Sequence, residues 1–319
     1  MPPCAISRAT AVAPRACRRR TAALLAVTVP AVLLPIAPLR AQDAQAPPFD
    51  LAPTCAALRA EAPDWNGERT VAGSAWRLFA FLAEGSHLRG GPSRDAVKLD
   101  VLWLRQTQNA AGAFAPDGVT APRDEQLLAT LAVADVFAVS NYQLLKPTVV
   151  KACRATAAAF AAPDLAVDAE TAALLALLAT SLELALGDGE PTVARLRERA
   201  VAAIAPLRFG GSRRADAALQ LARQLLGEPD EADLAFARVW PGDLTRDPLH
   251  TWFAVRALLT SPERLRAESL AFERLLAARA TDGDDAGTWQ PTAGFDRTTT
   301  SAMFALAIGM ANGAFWQRR

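Results

Sequence analysis

The sequence contains few of the residues from which metal and hydrolytic sites are built. It has two histidines, His87 and His250, and neither lies near a cysteine in the chain, so we expect no zinc site. A Gly-x-Ser-x-Gly sequence and a glycine-rich phosphate loop are also missing, which argues against the enzymes that need them. Alternation of apolar and polar residues is rare, so β-strands are not expected. The sequence therefore predicts no metal and no cofactor.

The N-terminal 41 residues hold six arginines and no acidic residue, and an apolar run extends from 22 to 37. A basic region, a short apolar region and a small exit residue are typical of a secretory signal peptide, here cleaved after Ala41. The alternative is a membrane anchor. However, Pro30 and Pro35 interrupt the run and Pro38 follows it, and it is shorter than the ~20 residues that span a bilayer as a helix. We therefore predict an exported protein, periplasmic or extracellular, with no stable membrane span after cleavage.

Cleavage would leave 28 basic and 33 acidic residues, which is a net charge of −5. A mildly acidic chain without basic clusters lacks the electrostatic footprint of a nucleic-acid-binding protein. Cys55 and Cys153 would remain in the mature chain. In an oxidising compartment they would either pair or persist as two buried thiols, and their separation along the chain leaves both alternatives open.

Two classes of apolar stretch alternate along the mature chain. Strongly apolar stretches begin near residues 71, 127, 171, 215, 249 and 301, a spacing typical of helical repeats. Stretches with a polar stripe lie between them, at 94–107, 148–161, 193–204, 230–239 and 262–278. A helix that is apolar on nearly all faces must be buried, whereas a helix with a polar stripe can face solvent. The alternation predicts an all-α fold with two concentric layers of helices.

One segment carries a recognisable motif, formed by Lys98, Trp103, Gln108, Gly112 and Phe114. It resembles the QW motif of the prenyltransferase and squalene-oxidase repeat family, in which an outer helix ends in Gln and a glycine turn returns an aromatic residue to the helix. Phe114 replaces the usual tryptophan. A looser copy runs from Phe272 through Arg279 to Trp289, with extra residues in its turn.

This resemblance implies an α/α toroid of about six inner and five to six outer helices. On that reading residues 1–41 are the signal peptide, 42–63 a flexible leader and first helix, and 64–319 a single toroid domain. Trp103, Gln108, Gly112, Phe114 and Trp289 would then be structural motif residues. We expect Trp103 and Phe114 to pack near one another, with Gly112 making the turn between them.

The terpene cyclases of this fold protonate an alkene with an acid of an Asp-x-Asp-Asp-Thr-Ala motif. The nearest counterpart, residues 167–172, keeps the acid-Thr-Ala end at Glu170 but lacks the first two aspartates. Without the proton donor, cyclase activity is not expected. We interpret Asp168 and Glu170 as N-terminal caps of an inner helix, because carboxylates there accept hydrogen bonds from free N–H groups and oppose the helix dipole.

In toroids of this kind the pocket opens where the inner helices begin. The polar residues at those positions are candidates for chemistry (Asp124, Glu125, Asp168, Glu170 and His250) or for ligand binding (Trp65, Arg123, Trp252 and Arg297). Helix capping and surface ion pairs are the alternative role for the charged ones. For His250, a histidine satisfied by a neighbouring group is the other interpretation.

The function hypothesis that follows is an exported, non-catalytic binding or interaction module for a small molecule, a glycan or a protein. The alternative is an enzyme that acts on a polysaccharide or an isoprenoid through the acids at the inner-helix starts. The lining of the centre discriminates between them, because a centre filled by side chains favours the non-catalytic role.

Overall fold

The computed structural model describes residues 49–60, 69–162, 164–187, 189–227, 238–260, 268–292 and 294–312. These residues form eleven α-helices and two short 3₁₀-helices, Gln143–Leu145 and Leu258–Thr260, with only isolated β-bridges and no strand. The expected all-α class is confirmed. In chain order the helices are α1 (Ala52–Ala60), α2 (Val71–Ala83), α3 (Arg94–Thr107), α4 (Arg123–Ser140), α5 (Lys146–Ala159), α6 (Ala169–Leu186), α7 (Pro191–Ile204), α8 (Arg213–Leu225), α9 (Pro248–Ala257), α10 (Ser269–Ala277) and α11 (Arg297–Ala311).

The described helices fall into two classes by burial. In α2, α4, α6, α8, α9 and α11 more than half of the residues are buried, and in α2 only Ala72 is not. In α1, α3, α5, α7 and α10 less than half are buried. The six buried helices begin within four residues of the predicted starts. Alanine and leucine on every face explain their burial, because such a helix has no face suited to water.

The six buried helices pack side by side in a closed cycle. Helix α2 packs against α4, α4 against α6, α6 against α8, α8 against α9, α9 against α11, and α11 returns to α2. Four of the five other helices pack against members of this cycle: α3 against α2, α5 against α4, α7 against α6, and α1 against α11. Neighbours in the outer set also meet, since α5 contacts α7.

Aromatic side chains connect helices that are not neighbours in the cycle. The ring of Trp76 on α2 meets the ring of Trp252 on α9 edge to face, with centroids 5.3 Å apart. Phe79 and Phe253 extend this cluster, at 5.6 Å from Trp76 and 4.9 Å from Trp252. Such pairs contribute about 0.5–1.5 kcal/mol beyond their buried area. Side chains therefore fill the space between α2 and α9.

The start of the described chain is more ordered than the expected leader. Residues 42–48, like the expected signal peptide, lie outside the described residues, but Phe49 and Leu51 are buried and the ring of Phe49 lies 5.4 Å from Phe272. Helix α1 is the first helix expected within residues 42–63, and it packs against α2 and α11. The Pro- and Ala-rich composition concealed an apolar face formed by Leu51, Cys55 and Leu58.

Helix α6 is the one described helix that is long and apolar enough to cross a membrane. It packs against α4, α7 and α8, and more than half of its residues are buried inside the protein, as in a core helix. Cys55 and Cys153 are both buried and both free, so the structure has the two-thiol alternative. Burial raises the pKa of Cys153 to about 12, which keeps this thiol protonated at neutral pH.

Candidate functional site

The starts of α6, α8 and α9 meet around one arginine. Arg214 donates from Nε to Oε1 of Glu170 at 2.6 Å and from Nη1 to Oδ2 of Asp247 at 3.4 Å. We call Glu170, Arg214 and Asp247 the helix-start cluster. It joins residues 170, 214 and 247 on three consecutive members of the cycle, so their N-termini lie at the same end of the fold.

Aspartates at these helix starts act as caps. Asp168 accepts the backbone N–H of Thr171 at 2.8 Å, and Asp247 accepts that of His250 at 3.0 Å. Asp296 does the same at the start of α11, with the N–H of Thr299. Each carboxylate satisfies a donor that has no partner within the helix, which stabilises the helix by about 1 kcal/mol. Asp168 therefore has the structural role that the sequence suggested, whereas Glu170 pairs with Arg214 instead of capping.

Glu170 forms an ion pair with Arg214. Burial raises the pKa of the Glu170 carboxyl, while the hydrogen bond and charge of Arg214 act in the opposite direction. A general acid must be protonated before the reaction and needs a path to the substrate atom. An oxygen that already accepts a short bond from a guanidinium is poorly placed to donate a proton.

His250 is also bonded inside the protein. Its side chain is buried, and Nε2 lies 2.8 Å from the carbonyl oxygen of Val239. Since a carbonyl only accepts, Nε2 carries the proton in this contact. Burial lowers the pKa of His250, so the ring is neutral at neutral pH. His250 thus ties residue 239 to the start of α9, which matches the interpretation of a histidine satisfied by a neighbour.

The remaining predicted site residues do not converge on the helix-start cluster. Arg123 and Asp124 are exposed at the start of α4, and Glu125 beside them is half-buried. Arg297 pairs with Asp285, and Trp252 lies in the aromatic cluster. Trp65 lies outside the described residues. Among the residues that the structure describes, no three His, Cys, Asp or Glu side chains gather as a metal ion would require.

An electrostatic interaction between two helices was missed by the sequence reasoning. Asp135 on α4 is 3% exposed, and its negative charge acts on Arg256 of α9, three places away in the cycle. Burial lowers the pKa of Arg256 to about 10, and the charge of Asp135 opposes that shift. The available signal was one acid within the apolar part of α4, after its first turn, and one arginine in the apolar helix α9, because buried charges require a partner.

The first motif copy forms a turn, residues 108–114, that we call the first turn. Gln108 donates from Nε2 to the carbonyls of Gly112, at 3.2 Å, and of Thr148 in α5, at 3.0 Å. Phe114 is 2% exposed, and its N–H donates to Oε1 of Gln126 on α4 at 2.8 Å. Trp103 is half-buried against the core, but the ring contacts among the described residues do not pair it with Phe114.

The second copy forms a longer turn, residues 279–289, that we call the second turn. Arg279 donates from Nη1 to the carbonyl of Asp50 at 3.0 Å and to Oγ1 of Thr54 at 3.3 Å, where α1 begins. Trp289 is buried, and its N–H donates to Oγ of Ser301 on α11 at 3.0 Å. Its indole Nε1 donates to the carbonyl of Leu275 at 2.8 Å.

Two surface cavities lie away from the helix-start cluster. One, of about 280 Å³, runs along α3 and is lined by apolar and basic side chains from α3 and from the segment that leads into α5. The other, of about 530 Å³, lies between α1 and the second turn, and half of its lining residues are alanines. The cavity along α3 offers a ligand both charged and apolar groups, so it can discriminate between ligands better than the alanine-rich cavity beside α1.

Comparison with known proteins supplies no relative for this chain. No protein-family model matches it, and no curated protein or solved structure matches it significantly. Any functional conclusion therefore depends on the residues and contacts described above.

Proposed function

We propose that the protein is an exported α/α toroid that serves as a non-catalytic interaction module. The closed cycle of six buried helices, with four outer helices packed against it, supports the toroid. The first and second turns support kinship with the prenyltransferase and squalene-oxidase repeats, since each places a glycine and a buried aromatic residue after an outer helix. The signal-like N-terminus supports export to the periplasm or the exterior.

The observation that carries the non-catalytic role is the filled interior. The rings of Trp76 and Trp252 meet between α2 and α9, which are not neighbours in the cycle, and the rings of Phe79 and Phe253 extend this cluster. An isoprenoid or a sugar bound at the centre would have to displace them. The acids at the helix starts are also engaged, since Asp168 and Asp247 cap helices and Glu170 binds Arg214. A ligand is therefore more readily bound on the outer surface.

The alternative is an enzyme acting on a polysaccharide or an isoprenoid through the helix-start cluster. Two observations favour it. Burial raises the pKa of Glu170, as is common for catalytic acids. In addition, the buried Nε1 of Trp252 has no hydrogen-bond partner among the described residues, so it is a group that a bound ligand could satisfy.

Turnover by the mature protein separates the two proposals. We expect no product by mass spectrometry after incubation with squalene, geranylgeranyl diphosphate or a uronic-acid polysaccharide. Glu170→Gln should lower the free energy of unfolding by about 1 kcal/mol or less, as for other partly exposed ion pairs. Glu183→Gln is the matched control, because Glu183 lies on the same helix and pairs with Arg197 at 3.0 Å. A product that disappears in Glu170→Gln and persists in Glu183→Gln would establish the enzyme instead.

A further inference from the structure

An apolar groove lies on the outer surface between α3 and the segment that enters α5. Leu88, Val101, Leu102, Tyr142 and Leu145 form its floor and walls. Leu102 is 42% exposed and Tyr142 is 38% exposed. Exposed leucines scattered singly are ordinary, but contiguous apolar patches mark interaction surfaces. We call this cavity and its lining residues the α3 groove.

The exposed apolar side chains of the described chain concentrate at this place. Eight large apolar side chains are exposed among the described residues, and four of them lie in the α3 groove or next to its lining residues in sequence: Leu99, Leu102, Tyr142 and Leu144. Leu99 and Leu102 are on α3, an outer helix whose buried residues already provide its packing face. The side chains of Leu99 and Leu102 are therefore not needed to hold α3 in place.

The same groove is basic. Arg94, Lys98 and Arg105 line it, and none of its lining residues is acidic. Positions 94, 98 and 105 fall on one face of a helix and extend over ~16 Å at 1.5 Å per residue. Lys98 pairs with Asp95 at 3.0 Å, but that carboxylate is 88% exposed, so the pair is weak. A basic groove on a mature chain of net charge −5 would attract acidic ligands selectively.

We propose that the α3 groove binds an acidic segment of a partner protein that also carries apolar side chains. The apolar floor favours side chains over a glycan or a free phosphate. Three cations over ~16 Å would leave two unmatched by a monocarboxylate such as a fatty acid, whereas an extended peptide covers that length with about five residues. This assignment rests on the proposed interaction role and gives it a surface and a partner class.

Fluorescence anisotropy with a labelled peptide of alternating glutamate and leucine tests the proposal. The mature protein should bind it, and binding should weaken as salt rises. Reversing the groove charges together, in R94E/K98E/R105E, should weaken binding about tenfold or more. The matched control is K151E/R154E/R195E, three exposed cations on α5 and α7 with the same change in charge, which should retain binding.

The apolar part of the groove has its own variants. Leu102→Ser should weaken binding of the glutamate–leucine peptide several-fold, since a lining side chain that is 42% exposed loses contact area with the ligand. Leu270→Ser is the control, because Leu270 is 64% exposed on α10. Unchanged circular dichroism in all variants would show that the fold persists, as expected for substitutions at exposed positions.

Three results with the peptides would overturn the assignment. They are no binding by the wild-type protein, equal binding by the two charge-reversal variants, or equal binding of a lysine–leucine peptide. Tighter binding to anionic phospholipid vesicles than to the peptide would assign the groove to a membrane surface and also overturn it. Failure here leaves the interaction role standing, whereas turnover that depends on Glu170 removes that role whatever the groove binds.

Discussion

The first and second turns join similar helices with different side chains. In both, a glycine at positive φ, Gly112 or Gly287, lies against the backbone of the next outer helix, at Lys151 of α5 or at Pro53 of α1. In both, a buried aromatic residue two positions later donates its N–H to a side chain of the following buried helix. The second turn thus attaches α1, the first helix of the chain, as the outer neighbour that follows α10.

The turns differ between the end of the outer helix and the glycine. Gln108 stands four residues before its glycine, and Arg279 stands eight before. The added residues are held by bonds within the second turn, from the N–H of Ala280 to the carbonyl of Thr288 and from that of Gly287 to Ala280. In both turns packing fixes the positions of the glycine and the aromatic residue, whereas the number of residues between the outer helix and the glycine varies.

The largest effect is expected from a Cβ at either glycine. Gly112→Ala would place the Cβ over the carbonyl of Lys151, and Gly287→Ala would place it over the carbonyl of Pro53. Each change combines positive φ with overlap of backbone atoms, so each should lower the free energy of unfolding by roughly 2–4 kcal/mol. Chemical denaturation of the mature protein measures this.

Gly118 and Gly283 are the matched controls. Both have positive φ, but a Cβ at either position would meet nothing within 4 Å. Their alanine variants should cost only the backbone strain, about 1 kcal/mol. If Gly112→Ala lowers the free energy of unfolding no more than Gly118→Ala does, Gly112 does not lie close to the backbone of α5. Comparing Gly287→Ala with Gly283→Ala tests in the same way whether Gly287 lies close to α1.

A smaller effect should follow from removing the acceptors of the aromatic N–H groups. Ser301→Ala leaves the buried N–H of Trp289 unpaired and should cost about 1–2 kcal/mol. Gln126→Leu should cost more, about 2–3 kcal/mol, because Gln126 also donates to Thr130 and Thr156. The two turns would then differ in strength at the same structural position.

Thermal unfolding followed by circular dichroism compares these variants. Ser140→Ala is the control, since among the described residues the Ser140 hydroxyl bonds only to the Val136 carbonyl of its own helix, and its loss leaves none of their N–H groups unpaired. We expect a change within about 0.5 kcal/mol. Equal losses for Ser301→Ala and Ser140→Ala would mean that the N–H of Trp289 finds another partner.

The sequence was enough to predict the six buried helices and the glycine of the first turn. All-apolar stretches place the six buried helices because burial follows directly from composition, and the glycine of the first turn is readable because only glycine suits that backbone. The attachment of α1 was not readable, since it depends on contacts between residues more than 200 positions apart, such as Arg279 with Asp50. No local pattern encodes such a contact.

The candidate site divides in the same way. Asp168 could be assigned as a cap from its place before an apolar stretch, because capping is a local interaction. The pairing of Glu170 with Arg214 and the coupling of Asp135 to Arg256 depend on which helices become neighbours, and helix order in space is not written in local periodicity. The α3 groove escaped notice because Tyr142 and Leu145, which line it beside the cations of α3, come from a separate segment of the chain.

The smallest expected effect distinguishes the two side chains that reach the next outer helix. Gln108→Ala removes one amide from two carbonyls and should cost about 1 kcal/mol. Arg279→Ala should cost about 0.5–1 kcal/mol, since its guanidinium bonds lie nearer the surface.

Hydrogen exchange locates each loss: amides of α5 should exchange faster in Gln108→Ala, and those of α1 in Arg279→Ala. Arg279→Gln is the sharper test, because it places the side chain of Gln108 at the matching position of the second turn. If the amides of α1 are protected in Arg279→Gln as in the wild type, a glutamine can hold the next outer helix in both turns. Exchange that stays fast in Arg279→Gln would show that the longer turn needs the reach of arginine. Unchanged exchange of α1 in Arg279→Ala would mean that Gly287 and Trp289 alone hold the first helix.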